Sequence, residues 1–161
     1  MTHWGLFIGL AAAVVAIDQL TKAWLVATVD PGGAIEVIGN WLRLVHGRND
    51  GGLFGLFSGS AEILALASLG VIGLIVVYHG RSRPSLLLST ALGLLLGGAI
   101  GNLLDRIRLG YVIDFVDAGI GDLRFYTFNV ADSAISASIL LLILLALFPA
   151  LAGHPTEGTD A

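Results

Sequence analysis

The chain is expected to fold as an all-α membrane protein, with four transmembrane helices, a small β-ribbon and surface loops. Two observations carry this. Of its 161 residues, 56% are hydrophobic and only 12% are charged, about half the roughly 25% charge of a soluble domain; mean hydropathy is +0.89. Four apolar segments are also long enough to cross roughly 30 Å of hydrocarbon at about 1.5 Å of rise per residue. The length suits a single domain, residues 1–161, so any chemistry must be built from the helices and the short loops between them. The chain has no cysteine, which excludes disulfides, thiolate nucleophiles and cysteine-bound metals. A net charge of -4 offers no basic patch for nucleic acid.

The spans are expected near residues 4–26, 63–78, 86–104 and 134–152. The first lacks Lys or Arg at its front end, and Asp18 and Lys22 interrupt its far end where a signal peptide would carry a small-residue cleavage site, so it reads as a retained helix. The second has about 16 clean residues after Glu62, near the lower limit for a span. Between the first two, AIEVIGNWLRLVHGR alternates apolar and polar positions around Gly39-Asn40, the pattern of a two-stranded ribbon at the membrane surface. The glycine-rich NDGGLFGLFSGS that follows suits either a hinge or a close backbone approach to a ligand. Four crossings put both termini on one side. The loop HGRSRPS, with Arg81 and Arg83 and no acid, favours the cytoplasm for that side; the raw count of basic residues at the other face points the opposite way. The tail HPTEGTDA reads as a frayed end.

Polar residues within or beside the spans concentrate the question of function. Asp18 and Lys22 lie four apart on one face of the first helix, and suit a surface ion pair or a functional role equally. Gly98, Asn102 and Asp105 share a stripe of the third helix with Gly97 and Gly101 nearby; the glycines suit close helix packing, and the polar residues then face the bundle interior. Asp105-Arg106 could form an interfacial ion pair. Asn129 and Asp132, ahead of the fourth apolar segment, are good N-cap residues. Singly, each has a structural explanation as good as a functional one. Together, Asp18, Lys22, Asn49, Asn102, Asp105, Arg106, Asp114, Asn129 and Asp132 fall on one side of the expected topology, a convergence that scattered ion pairs do not need. Two carboxylates held close in a partly dry cavity share one proton, and such a pair can act as general base toward water and general acid toward a leaving amine.

Four blocks carry a resemblance to one family: DQLTK (Asp18 to Lys22), NDGGLFG (Asn49 to Gly55), GGAIGNLLDRIRLGYVIDF (Gly97 to Phe115) and FNVADS (Phe128 to Ser133). In this order they resemble the bacterial lipoprotein signal peptidases (signal peptidase II), aspartic endopeptidases of the inner membrane. The similarity spans nearly the whole chain; the third block is the most specific, and DAGIGDLRFYT is the least family-like stretch. The resemblance implies a catalytic pair at Asp114 and Asp132, no cofactor and no metal. It implies diacylglyceryl-modified prolipoproteins as substrates, cut just before the lipidated cysteine. It also implies a monomer in the inner membrane, in contact with lipid, with a periplasmic ribbon and active site and with cytoplasmic termini. Asn49, Asn129 and the backbone at Gly51 are then expected to hold the substrate main chain. Asn102, Asp105, Arg106, Asp18 and Lys22 are expected to fix the acids and loops.

Competing classes fit less well. GIGD (Gly119 to Asp122) matches a GxGD protease signature but lies in a polar loop with no partner aspartate in a span. Gly110 and Asp114 match only a fragment of the motif of CDP-alcohol phosphotransferases. No HExxH run is present, the four histidines are scattered, and no Ser-His pair suggests a serine protease. A small transporter is the non-enzymatic alternative, since charges inside spans also line ion paths.

Overall fold

The computed structural model describes residues 3–51, 59–82 and 84–152. The order of elements is α1 (Trp4–Thr28), β1 (Ala34–Ile38), β2 (Leu42–Asn49), α2 (Ala61–Ser82), α3 (Leu86–Leu109), β3 (Val112–Ile120), β4 (Leu123–Arg124) and α4 (Val130–Leu147), followed by a 3-10 turn at Pro149–Ala152. All four helices are long and apolar enough to cross a membrane. Leu20, Leu66, Leu74, Leu140 and Leu147 are each at least two-thirds exposed, an arrangement that lipid satisfies and water would not. This is a multi-pass membrane protein of the expected class.

The helices differ from the expected spans mainly at their ends, for local reasons. α2 runs on both sides of its apolar stretch: Glu62 occupies the first turn and His79 and Arg81 the last, the signs that the helix dipole favours at each terminus. Much of the expected loop HGRSRPS is therefore helical. α3 starts at Ser85, whose side chain accepts from Leu88 N, and ends at Gly110, whose φ of 77° is a left-handed conformation that glycine adopts without strain. α4 begins four residues earlier than expected and stops before Pro149, which cannot continue a helix. Asn129 is its N-cap and Asp132 its third residue, so Asp132 lies inside the helix instead of ahead of it.

The surface ribbon is larger than expected. β1, β2, β3 and β4 form one four-stranded sheet in that order, each neighbouring pair antiparallel. The segment after α3, expected as a surface loop, supplies two of the strands. β2 and β3 pair along most of their length, which brings the segment after α1 and the segment after α3 together at one end of the bundle. GIGD forms the β3–β4 turn, with Asp122 exposed. Most of the glycine-rich run 49–60 and the tail from 153 onward lie outside the described residues.

α3 is the central helix and packs on the other three. Toward α1, a Cβ at Gly97 would sit 2.7 Å from the Val14 side chain; toward α4, one at Gly98 would sit 2.5 Å from Ala131 O. These are backbone approaches that only small residues permit, the packing device expected between helices in lipid. Two apolar clusters frame the polar zone: Phe7, Ala11, Ile75, Leu92 and Leu96 within the bundle, and Leu25, Val29, Ile113 and Phe115 where α1 meets β3.

Gly98→Val is therefore expected to separate α3 from α4 and to lower the unfolding midpoint in detergent, at a cost of about 1–3 kcal/mol typical of overpacking. Gly73→Ala, where an added Cβ meets nothing within 4 Å, should leave the midpoint close to that of the unmodified chain.

Candidate active site

The polar residues gather where helix ends meet the sheet. At the centre is Lys22, 2% exposed on α1. Its Nζ lies 2.8 Å from both Asp18 Oδ2 and Asp105 Oδ2 and donates to Asn102 Oδ1 at 3.3 Å. An ammonium and two carboxylates removed from water are tolerable only when they compensate one another. The pair at Asp18 and Lys22 is thus fully buried, not a helix-surface pair. Asp105 pairs with Lys22, in place of the interfacial pair with Arg106 that the sequence also allowed.

Each member of this cluster also holds a piece of backbone. Asp18 Oδ1 accepts from Ala131 N at 2.9 Å, fixing the first turn of α4. Asp105 Oδ2 accepts from Ile113 N at 3.2 Å, fixing the strand one residue before Asp114. Gly101 gives Asp18 its room, since a Cβ there would lie 2.8 Å from Asp18 Oδ2. Gln19 donates to Asp105 Oδ1 at 2.9 Å and accepts from Arg108 at 3.2 Å, closing the cluster on its outer side.

Two asparagine amides connect the charges to a second pair of acids. Asn102 Nδ2 donates to Asp132 Oδ1 at 2.7 Å. Asn129 Nδ2 donates to Asp114 Oδ1 at 2.7 Å and reaches Asn102 Oδ1 at 3.1 Å. Asn129 and Asp132 form a reciprocal capping box at the start of α4: Asn129 Oδ1 accepts from Asp132 N at 2.9 Å, and Asp132 Oδ2 accepts from Asn129 N at 3.2 Å. One asparagine therefore touches both carboxylates. On the far side, Asn49 Nδ2 donates to Asp114 Oδ2 at 2.9 Å, and Asn49 Oδ1 accepts from Gly51 N at 3.0 Å. Arg106 Nη2 donates to Gly51 O at 3.1 Å. All ten residues singled out in the sequence meet in this one network.

Asp114 and Asp132 line a cavity of about 490 Å³ together with Asn49, the segment Phe125 to Phe128, and Ser133, Ile135, Ser136 and Ile139 of α4. It is polar at the acids, and Ile135, Ile139 and the aromatic residues of 125–128 give it apolar lining away from them. Burial pushes the Asp114 carboxyl up to about 6, and the neighbouring charge of Asp132 pushes the same way; the amides of Asn49 and Asn129 and the charge of Lys22 pull against both. A carboxyl balanced in this way can hold or release a proton near neutrality.

The cavity wall was missed in the sequence. The α4 members Asp132, Ile135, Ser136 and Ile139 repeat at i, i+3, i+4 and i+7, a stripe that could have been read once the helix start was known. Phe125 to Phe128 carry no such periodicity.

A family model described as signal peptidase (SPase) II matches residues 10–148. The chain is 42% identical over 152 residues to a lipoprotein signal peptidase of Geobacillus kaustophilus (strain HTA426), covering 94% of this chain and 97% of that protein. It is 40% identical over 147 residues to a lipoprotein signal peptidase of Syntrophomonas wolfei subsp. wolfei (strain DSM 2245B / Goettingen), covering 91% and 93%. It matches the solved structure of a bacterial membrane enzyme, determined by the in meso method at 2.3 Å resolution, with a TM-score of 0.84 and 30% identity, covering 97% of this chain and 95% of that one.

Replacing Lys22 by Met leaves two buried carboxylates uncompensated, and is expected to destabilise the protein by about 3–5 kcal/mol, the cost of removing one partner from a buried ion pair. Thermal unfolding in detergent measures this. An unchanged midpoint would show that the cluster is not held by charge compensation.

Proposed function

The chain belongs to the signal peptidase II family, and on that premise we propose that it removes signal peptides from diacylglyceryl-modified prolipoproteins, cutting just before the lipidated cysteine with Asp114 and Asp132 as the catalytic pair. One observation carries the reading: two carboxylates from separate elements border one cavity at the end of the bundle and share a single asparagine.

In the proposed reaction the pair holds one proton between its two members. The ionised carboxylate takes a proton from a water molecule as the water oxygen attacks the scissile carbonyl carbon. The protonated carboxyl then gives its proton to the amine of the cysteine as the C–N bond breaks. The pair titrates as a unit, so its two apparent pKa values belong to both residues. Asn129 orients both acids and Asn49 orients Asp114. Asn102 relays the position of Lys22 to Asp132, and Arg106 fixes the backbone at Gly51, where the substrate main chain passes. The apolar lining from Ile135, Ile139 and the aromatic residues of 125–128 suits a substrate that arrives from lipid. In this reading the sheet and site face the periplasm across the inner membrane, with both termini and the Arg81 end of α2 in the cytoplasm, the side that short basic loops favour.

Asp114→Asn and Asp132→Asn are each expected to abolish cleavage of a diacylglyceryl-cysteine peptide in detergent, by at least about 10³-fold, with the unfolding midpoint retained. Near-normal turnover by either variant would remove that aspartate from the chemistry. The pH profile supplies a second check. Raising pH removes the shared proton, so kcat/KM should fall on the alkaline side of the pair's upper apparent pKa. The hydrogen bond from Asn49 favours the charged form of Asp114. Asn49→Ala should therefore raise that pKa and carry the alkaline limb to higher pH, by about one unit if the bond contributes about 1.4 kcal/mol. A limb that stays in place or moves down would contradict the assignment.

A further inference from the structure

Phe125 to Phe128 form one wall of the cavity, yet the strand that delivers them is only two residues long. β4 pairs with β3 through Gly119↔Arg124 and Ile120↔Leu123, and one further backbone bond follows, from Phe125 N to Ala118 O at 2.7 Å. So short a ladder at the edge of a sheet holds weakly, and a second device supplies the hold. Asp117 of β3 is 5% exposed, and its carboxylate lies between two arginines from the strands on either side. Arg43, its cross-strand partner on β2, donates Nε–H to Asp117 Oδ2 at 2.9 Å. Arg124 of β4 donates Nε–H to Asp117 Oδ1 at 2.9 Å and Nη2–H to the Asp117 backbone carbonyl at 3.1 Å. A further Arg124 bond goes to Asn40 O in the β1–β2 turn. The donors from Arg124, and after them those from Arg43, hold the Asp117 carboxyl below the usual carboxylate range.

The backbone is shaped to admit this clamp. A Cβ at Gly119 would lie 2.8 Å from the Arg124 Cα and closer still to Leu123 O, so glycine there lets Arg124 press against β3. At the other end of the wall, Phe128 exchanges backbone hydrogen bonds with Val116, at 2.8 and 3.2 Å. The wall is thus tied to β3 by a charged clamp at Arg124 and by backbone bonds at Phe125 and Phe128. β2 and β3 are already paired along most of their length, so the link from Asp117 to Arg43 adds little to their union. What Asp117 adds is the placement of Arg124, and with it the residues next in the chain.

We propose that Asp117 is a positioning residue for the peptidase reaction, acting through Arg124 to set the Phe125 to Phe128 wall against the substrate. The proposal rests on the proteolytic reading above. Asp117 itself does not line the cavity, and the bonds that orient Asp114 and Asp132 come from Asn49, Asn102 and Asn129. Loosening the clamp therefore weakens engagement of the substrate and leaves the acids in place.

The test is steady-state cleavage of a diacylglyceryl-cysteine peptide by the full chain in detergent. Asp117→Asn and Arg124→Gln should each raise KM about five- to twenty-fold, with kcat within about two-fold of the unmodified enzyme. The double variant should be no worse than the poorer single one, since both remove the same link. Arg124→Lys keeps the charge and loses the fork, and should recover part of the KM. An unchanged KM, a fall in kcat alone, or singles whose effects multiply in the double variant would each overturn the proposal. Should Asp117→Asn fail to fold, the two Arg124 variants at the sheet edge decide the matter by the same criteria. An unmodified chain that does not cleave the peptide would sink the proteolytic reading and this inference together; normal cleavage with KM unmoved in the variants would sink this inference alone.

Discussion

The structure depends on one buried ammonium. Lys22 lets Asp18 and Asp105 sit together in a region with almost no water, and those two carboxylates then hold the first turn of α4 and the start of β3. These are the elements that carry Asp132 and Asp114. Helix packing alone would leave both loosely aimed, because α4 and β3 both begin in segments that meet the bundle at its margin. The charge cluster turns a helix bundle into a fixed frame for two further acids.

That arrangement explains why so polar a group of residues is found in so apolar a chain. Each polar side chain in the network makes at least two hydrogen bonds or ion pairs, to side chains or to backbone, and an unpaired member would be costly at this depth. The asparagines are the couplers: the Asn102 amide accepts from a cation and donates to a carboxylate, and Asn129 donates to two carboxylates, from its side-chain amide to Asp114 and from its backbone N–H to Asp132. A hydroxyl could do neither over the same span with fixed direction.

Much of this was legible in the sequence. Four spans follow from apolar length, and the convergence of Asp18, Lys22, Asn102, Asp105, Asn129 and Asp132 follows from their positions at helix ends. What was not legible lies in the sheet. β3 and β4 carry few of the alternations that mark a strand, since β3 is buried on much of both faces, and its partners are remote in the chain. Asp117 opens the stretch DAGIGDLRFYT, which carries no local signature of its role; its meaning comes from Arg43, 74 positions away, which no local pattern reveals. The start of α4 was placed late because Val130 to Ser133 do not look like a span, although Asn129 followed by Asp132 is a recognisable helix entry.

The central helix has a mechanical consequence. α3 meets α1 and α4 backbone to backbone across its glycines, so those three helices have little freedom to slide or tilt against one another. α2 has no such seam. It leans on α3 and, near His79, on Trp4 and Phe7 of α1. When the bilayer thickens or thins, the cheapest response to hydrophobic mismatch is a change in tilt of the least constrained span. α2 is that span, and it can follow the lipid while the rest of the scaffold keeps its shape.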